Sequence, residues 1–235
     1  MKTSLISKVA LFVLPIALIA GATPAQAAET RYITVNAEGT VHVTPDAVKL
    51  TATVSSLQST SKAALASVAT SATAVRAALK TAGIATKDIA TQTVSVYPEY
   101  NYTQDNGSVL TGYRASQTFS ITIRKAADAG IVVDAVAEAG GDNTQINSAT
   151  PFVLDTTKAV AAARSAAVKN AKAKAVAYAA LLGVKLGRVN YLVENNSPAI
   201  TNPIYSGLAK DSAASTVIDL GTQDVTVSVT VQWGL

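Results

Sequence analysis

The sequence predicts an α+β fold in which helices are layered on a mainly antiparallel sheet, and three observations carry that prediction. Short runs of apolar residues alternate with polar ones, the period of strands with one buried face. One stretch, Leu65 to Leu79, switches instead to apolar steps of three and four. From Val48 to Leu154 the elements run strand, helix, strand, strand, helix, strand. This is the order of a split βαβ-like module, to which one long C-terminal helix and a C-terminal strand are appended.

Residues 1–27 read as a secretory leader. Lys2 and Lys8 precede the apolar run Val9 to Ala20, and Ala25-Gln26-Ala27 supplies small residues around a cleavage point. The run is shorter than the roughly 20 residues a spanning helix needs. Residues 28–235 are then expected to form a single domain, and loss of Lys2 and Lys8 lowers the formal charge from +4 to +2, too mild a balance to imply nucleic acid. The absence of cysteine excludes disulfides and a lipidated cysteine, so an exported chain of this kind depends on packing.

Taken in order, Tyr32 to Val43 alternates in two short runs broken by Glu38-Gly39, which predicts two strands around a turn or bulge. After Pro45-Asp46, Val48, Leu50, Ala52 and Val54 alternate with polar residues. Leu65, Val68, Ala72, Val75 and Leu79 then make one stripe of a helix that starts at Ser59-Thr60-Ser61 and stops at Gly83. Val94 to Tyr102 and Thr111 to Arg124 flank the turn signal Asp105-Asn106-Gly107 and predict a long hairpin. A short helix over 128–139 stops at Gly140-Gly141, and Asn143 to Leu154 is a strand. The long helix follows, capped by Asp155 and ended by Gly183, a length of roughly 40 Å. After a strand near Val189 to Val193, a stretch rich in Asn, Pro, Ser and Gly, about 195–215, reads as a long loop. Val225, Val227, Val229, Val231 and Trp233 form the most regular strand, one expected to pair inside the sheet.

Candidates for chemistry are few. His42, the single histidine, lies between Val41 and Val43 with Glu38 four residues off, about 13 Å at strand rise, so no local dyad forms. A remote serine or aspartate would be needed to complete a triad, and an ordinary surface histidine is the preferred reading. Asp46 after Pro45 suits a turn-fixing acceptor better than a catalytic carboxylate. No carboxylate pair, phosphate-cradling glycine loop or cysteine nucleophile is present, so no catalytic, cofactor-binding or metal-binding residue is assigned. Tyr97, Tyr100, Tyr102 and Tyr113 cluster at the hairpin, where aromatic cross-strand pairing is preferred to ligand stacking. Lys158, Lys169 and Lys172 share one side of the long helix, a strip either simply solvated or open to an acidic partner or anionic lipid.

The ordered set of Val41-His42-Val43-Thr44-Pro45-Asp46, Thr91 to Tyr102, Gly112-Tyr113-Arg114-Ala115-Ser116 and the Ala-Lys-rich helix closing in Leu182-Gly183-Val184-Lys185-Leu186-Gly187 resembles the SIMPL-domain family of exported bacterial proteins. The resemblance spans Ile33 to Trp233. It implies an α+β domain in the periplasm or at the cell surface and a tendency to form homo-oligomers. In some members it implies links to oxidative-stress defence or recognition as a surface antigen. No catalytic residues come with it, and Pro45, Asp46, Tyr113 and Arg114 look architectural. The 195–215 loop has no matching motif.

Two function classes follow as expectations. One is a non-enzymatic envelope protein that self-assembles, with an edge strand, either Tyr32 to Val43 or the terminal strand, offering unpaired backbone groups to a second copy. The other is a periplasmic enzyme using His42 or Asp46. A transmembrane barrel fails because helices interrupt the strands.

Overall fold

The computed structural model describes residues 31–104, 107–195, 199–201 and 216–235. The leader expected over 1–27 lies outside them, as do Asp105 and Asn106 of the hairpin turn and most of the 195–215 loop. From Tyr32 onward the chain is α+β, as expected, and among the described residues every strand pair is antiparallel. The strands are divided between two sheets, each with its own core, where the sequence reading anticipated one.

The split module closes as predicted. β2 (Ala47–Gln58), α1 (Ser61–Thr81), β3 (Ile89–Thr103), β4 (Gly107–Ile123), α2 (Ala129–Gly140) and β5 (Thr144–Phe152) form a sheet of order β3-β4-β2-β5. Val48, Leu50, Ala52 and Val54 of β2 and Ala115, Phe119, Ile121 and Ile123 of β4 are buried. They lie beneath the α1 stripe of Ala64, Val68, Ala72, Val75 and Leu79 and beneath Val132 and Val136 of α2; Leu65, expected to start that stripe, is instead exposed, and Ala64 takes its place. Each fully covered Val, Leu or Ile contributes roughly 1.5–3 kcal/mol. Thr60 caps α1, its hydroxyl accepting from the Ala63 N–H at 3.2 Å.

The second sheet joins the two ends of the chain. β8 (Gln223–Gly234) pairs along its whole length with β1 (Tyr32–Val43); on its other side lie β6 (Val189–Glu194) and β7 (Ala199–Thr201). The terminal strand is therefore central, as its regular alternation predicted, and cannot be the free edge; β1 is an edge. β7 also puts a short strand inside the stretch read as loop. α3 (Thr157–Leu181) covers this sheet with a stripe of small residues, Ala163, Ala167, Ala171, Ala175 and Ala179, packed on Val35, Ala37, Val227, Val229 and Val231.

Two local expectations are corrected. β1 is one uninterrupted strand, and Glu38-Gly39 marks no turn. Gly39 is there because α3 lies on it: a Cβ at that position would sit 2.2 Å from the Ala163 carbonyl oxygen and 2.3 Å from the Ala167 nitrogen. The helix cap is shifted by one residue. Thr156 is the cap position, while the Asp155 carboxylate accepts from the Thr157 N–H at 2.9 Å; the Thr157 hydroxyl first, and then this N–H, hold its carboxyl below the usual range. At the other end Gly183, with φ of 67°, lets the Val184 N–H return to the Ala179 carbonyl at 2.9 Å.

Candidate functional site

β1 presents His42 on the face of its sheet opposite α3, and the β1–β8 register sets Asp224 directly across from it. His42 Nδ1 and Asp224 Oδ1 stand 2.5 Å apart, with the two side chains 73% and 43% exposed. The aspartate partner that local spacing could not supply therefore comes from the far end of the chain. Along the same face Thr40 and Thr226 join hydroxyls at 3.0 Å. Thr230 Oγ1 donates to Asn36 Oδ1 at 2.7 Å and accepts from Asn195 Nδ2 at 2.9 Å. Histidine and aspartate are two members of a hydrolytic triad. The third position is not filled along β8: Thr226 bonds Thr40, and Ser228 stands opposite Glu38, four residues from Asp224 or about 13 Å at strand rise. The pair is a cross-strand hydrogen bond on an open face.

Asp46 is a backbone acceptor, as expected, but the bond its carboxylate makes is to a distant segment and not within its own turn, which corrects the turn-fixing reading. Its Oδ1 accepts from the Leu154 N–H at 2.8 Å and its carbonyl from the Ala126 N–H at 2.9 Å, so one residue ties the β1–β2 link to the segment before α2 and to the β5–α3 link. Nearby, buried Gln223 donates from Nε2 to the Pro151 carbonyl at 2.9 Å, joining the start of β8 to β5 of the other sheet. These bonds occupy Asp46 with backbone donors.

Sequence reading missed three arginine–carboxylate pairs among the described residues, whose partners come together only through strand pairing and helix packing. Asp88, its side chain 7% exposed, receives Arg124 Nε and Nη2 at 2.8 and 2.7 Å beside a cavity of about 550 Å³ lined by Ala82, Ile84, Lys87 and Lys125. Arg124 holds the Asp88 carboxyl below the usual carboxylate range, and Arg114 does the same for Glu99 and Arg164 for Glu194. In each pair both carboxylate oxygens are engaged in a fork, which suits a brace between elements rather than a base poised for a substrate. Among the described residues no three acidic or histidine side chains converge as a metal cluster.

The tyrosines do not pair with one another. Tyr97 stands opposite Arg114, Pro98 opposite Tyr113, Tyr100 opposite Leu110 and Tyr102 opposite Ser108, so cross-strand aromatic pairing is corrected. Beyond the Gln58–Tyr113 pair, where β2 ends, β3 and β4 continue as a two-stranded arm. Tyr100, Tyr102, Val109 and Leu110 are exposed there, Tyr102 to 78%, and Tyr97 is exposed just before the arm begins. On α3, Lys158, Lys169 and Lys172 are exposed, as expected of a solvated strip, while Arg164 is taken by Glu194 and Lys174 donates to the Asn36 carbonyl at 3.2 Å.

Residues 33–233 match the SIMPL family, described as protein of unknown function. This chain belongs to the SIMPL family. It is 31% identical over 212 residues to the 26 kDa periplasmic immunogenic protein of Brucella melitensis, covering 85% of this chain and 82% of that one. It is 27% identical over 188 residues to the protein YggE of Edwardsiella ictaluri, 77% of each chain. A YggE of Escherichia coli K12 shares 34% over 116 residues, 48% of this chain and 46% of that one. The resemblance drawn from the Pro45-Asp46, hairpin and helix-end motifs is thereby confirmed, and relatives of this SIMPL chain are named as periplasmic. Among the described residues no helix is long and apolar enough to cross a membrane.

Proposed function

We propose that this SIMPL chain is an exported, non-enzymatic protein of the periplasm or cell surface that self-assembles and binds envelope components. The observation that carries the reading is the β3–β4 arm, whose exposed tyrosines, Val109 and Leu110 have no covering element in the chain among the described residues. Soluble monomers seldom leave large apolar side chains gathered in one place, and such gatherings mark interaction surfaces. The leader of residues 1–27 and the naming of the Brucella relative support the address. The non-enzymatic part is supported by the engagement of Asp46, Asp88, Glu99 and Glu194 with structural donors. Sedimentation of the mature protein tests it: a strictly monomeric species at high micromolar concentration removes self-assembly. Peroxide sensitivity of a strain lacking the protein tests the oxidative-stress link that the family resemblance implies.

The second reading, a periplasmic enzyme, draws on the His42–Asp224 pair. It requires a nucleophile or substrate group brought to the exposed imidazole from outside the described residues. The strip of Lys158, Lys169 and Lys172 supplies a basic surface for an acidic envelope partner or anionic lipid.

A further inference from the structure

The Asp88–Arg124 fork differs from the other two in what it leaves over. Asp88 closes the short helical turn Thr86–Asp88 before β3, and Arg124 follows directly on β4, at the end of the hairpin away from the tyrosine arm. Its side chain is 7% exposed, against 33% for Glu99 and 29% for Glu194, so this guanidinium is held by the most buried of the three carboxylates. A guanidinium carries five N–H groups in one plane. The bonds from Nε and Nη2 to Asp88 spend two of them. The remaining three, two on Nη1 and one on Nη2, belong to a side chain that is 48% exposed and lines the neighbouring cavity of about 550 Å³.

The lining of that cavity is of two kinds. Ala82, Ile84 and Ala85, from the turn after α1, supply apolar surface. Lys87 and Lys125, both exposed, are the chain neighbours of the two fork residues and line it as well. With Arg124 they set three cations against two carboxylates, Asp88 and Asp128, which leaves a net charge of +1. We infer that this cavity binds a small organic anion, its oxyanion held by Arg124, Lys87 and Lys125 and its apolar body laid on Ala82, Ile84 and Ala85. Carboxylates and phosphate esters share the required chemistry, because each offers two oxygens that accept in parallel from one guanidinium edge. Asp88 is a positioning residue here: it occupies one edge of the guanidinium and so fixes the direction of the other, and a donor fixed in advance loses little freedom when a ligand arrives. The lysines act as point charges. The volume falls within the roughly 300–1,000 Å³ of small-molecule sites, more than a bare ion fills, and the net charge of +1 suits a single small anion rather than a polyanion. The site goes beyond the self-assembly reading and does not depend on it, since it lies at the opposite end of the β3–β4 hairpin from the arm.

The test is calorimetric titration of the mature protein at low ionic strength with hexanoate, hexyl phosphate, hexanol and inorganic phosphate. The expected result is saturable binding of hexanoate or hexyl phosphate, the tighter of the two telling a carboxylate ligand from a phosphate one, with hexanol and inorganic phosphate weaker by roughly tenfold or more. K87A/K125A is expected to weaken the preferred anion by roughly tenfold or more, and so is Arg124→Lys, which keeps a cation for Asp88 but loses the second edge. K158A/K172A removes the same charge from α3 and should leave binding unchanged. No saturable binding of either organic anion at millimolar concentration would overturn the site. Hexanol binding as tightly as the anions would make it an apolar cleft, inorganic phosphate binding as tightly would remove the organic body, and equal weakening by K158A/K172A would reduce it to the overall charge of the protein; each of these overturns the proposal. If circular dichroism shows Arg124→Lys unfolded, K87A/K125A, which alters only exposed side chains, decides alone.

Discussion

Gly39 of β1 and Ala163 of α3 are in backbone contact: a Cβ on the glycine would lie 2.2 Å from the alanine carbonyl oxygen. The alanine stripe of α3 and the missing side chain of Gly39 make this approach possible, and the approach makes the glycine necessary. Gly39→Ala must push a 25-residue helix off its sheet, and the expected loss is about 3 kcal/mol, at or above the upper end of ordinary overpacking. Gly83→Ala is the comparison. It meets nothing within 4 Å but has φ of 82°, so its expected cost is about 1 kcal/mol from backbone conformation alone. Urea midpoints of the two variants separate the effects; equal losses would contradict the close-contact account.

Acid stability should report the Asp88–Arg124 fork. Asp88 has its pKa lowered chiefly by hydrogen bonding to Arg124, so the folded state holds fewer protons on it than the unfolded state. Its contribution is present above the unfolded value near 4 and is lost as pH falls through the lowered folded value. Glu99 and Glu194 act with the same sign. Asp88→Asn is expected to lower stability at neutral pH and to flatten the decline below about pH 4, read from denaturant midpoints across pH. An unchanged acid limb would show that the fork is not coupled to folding.

Asp46 serves as an acceptor, so shape should matter more than charge. Asp46→Asn keeps an oxygen for the Leu154 N–H, whereas Asp46→Ala removes it. The expected losses are a few tenths of a kcal/mol for the amide and about 1 kcal/mol for alanine. Thermal unfolding distinguishes them. Loss of a cellular phenotype in a fully stable Asp46→Asn protein would instead argue for carboxylate chemistry.

His42→Ala breaks an exposed pair with Asp224. Because solvent screens such pairs, the expected change in stability is within about 0.5 kcal/mol, and phenotypes of the null strain should not appear. A null phenotype with normal folding and abundance would revive the enzyme reading.

Export predicts its own signature. N-terminal sequencing of the protein recovered from the periplasm is expected to begin at Ala28, after Ala25-Gln26-Ala27. A membrane-held form retaining Lys2 would mean an anchor.

By itself the sequence determined which face of each element is buried and the order in which elements follow. The alternation of Val48, Leu50, Ala52 and Val54, the stripe from Val68 to Leu79 and the terminal valines all emerge in the core. Those patterns are local, with periods of 2 and 3.6 that need no knowledge of a neighbour. The motifs around Pro45-Asp46 and Gly183 were likewise legible, and with them the family. Tertiary structure alone decided which strands became neighbours. The division into two sheets, the central place of β8 and the meeting of His42 with Asp224, 182 positions apart, depend on pairing between distant segments. Alternation names a strand's buried face but not its partner. The Glu38-Gly39 sequence shows the limit most clearly: read locally it is a turn, yet the reason for that glycine is the backbone of a helix more than a hundred residues later, which no neighbouring residue records.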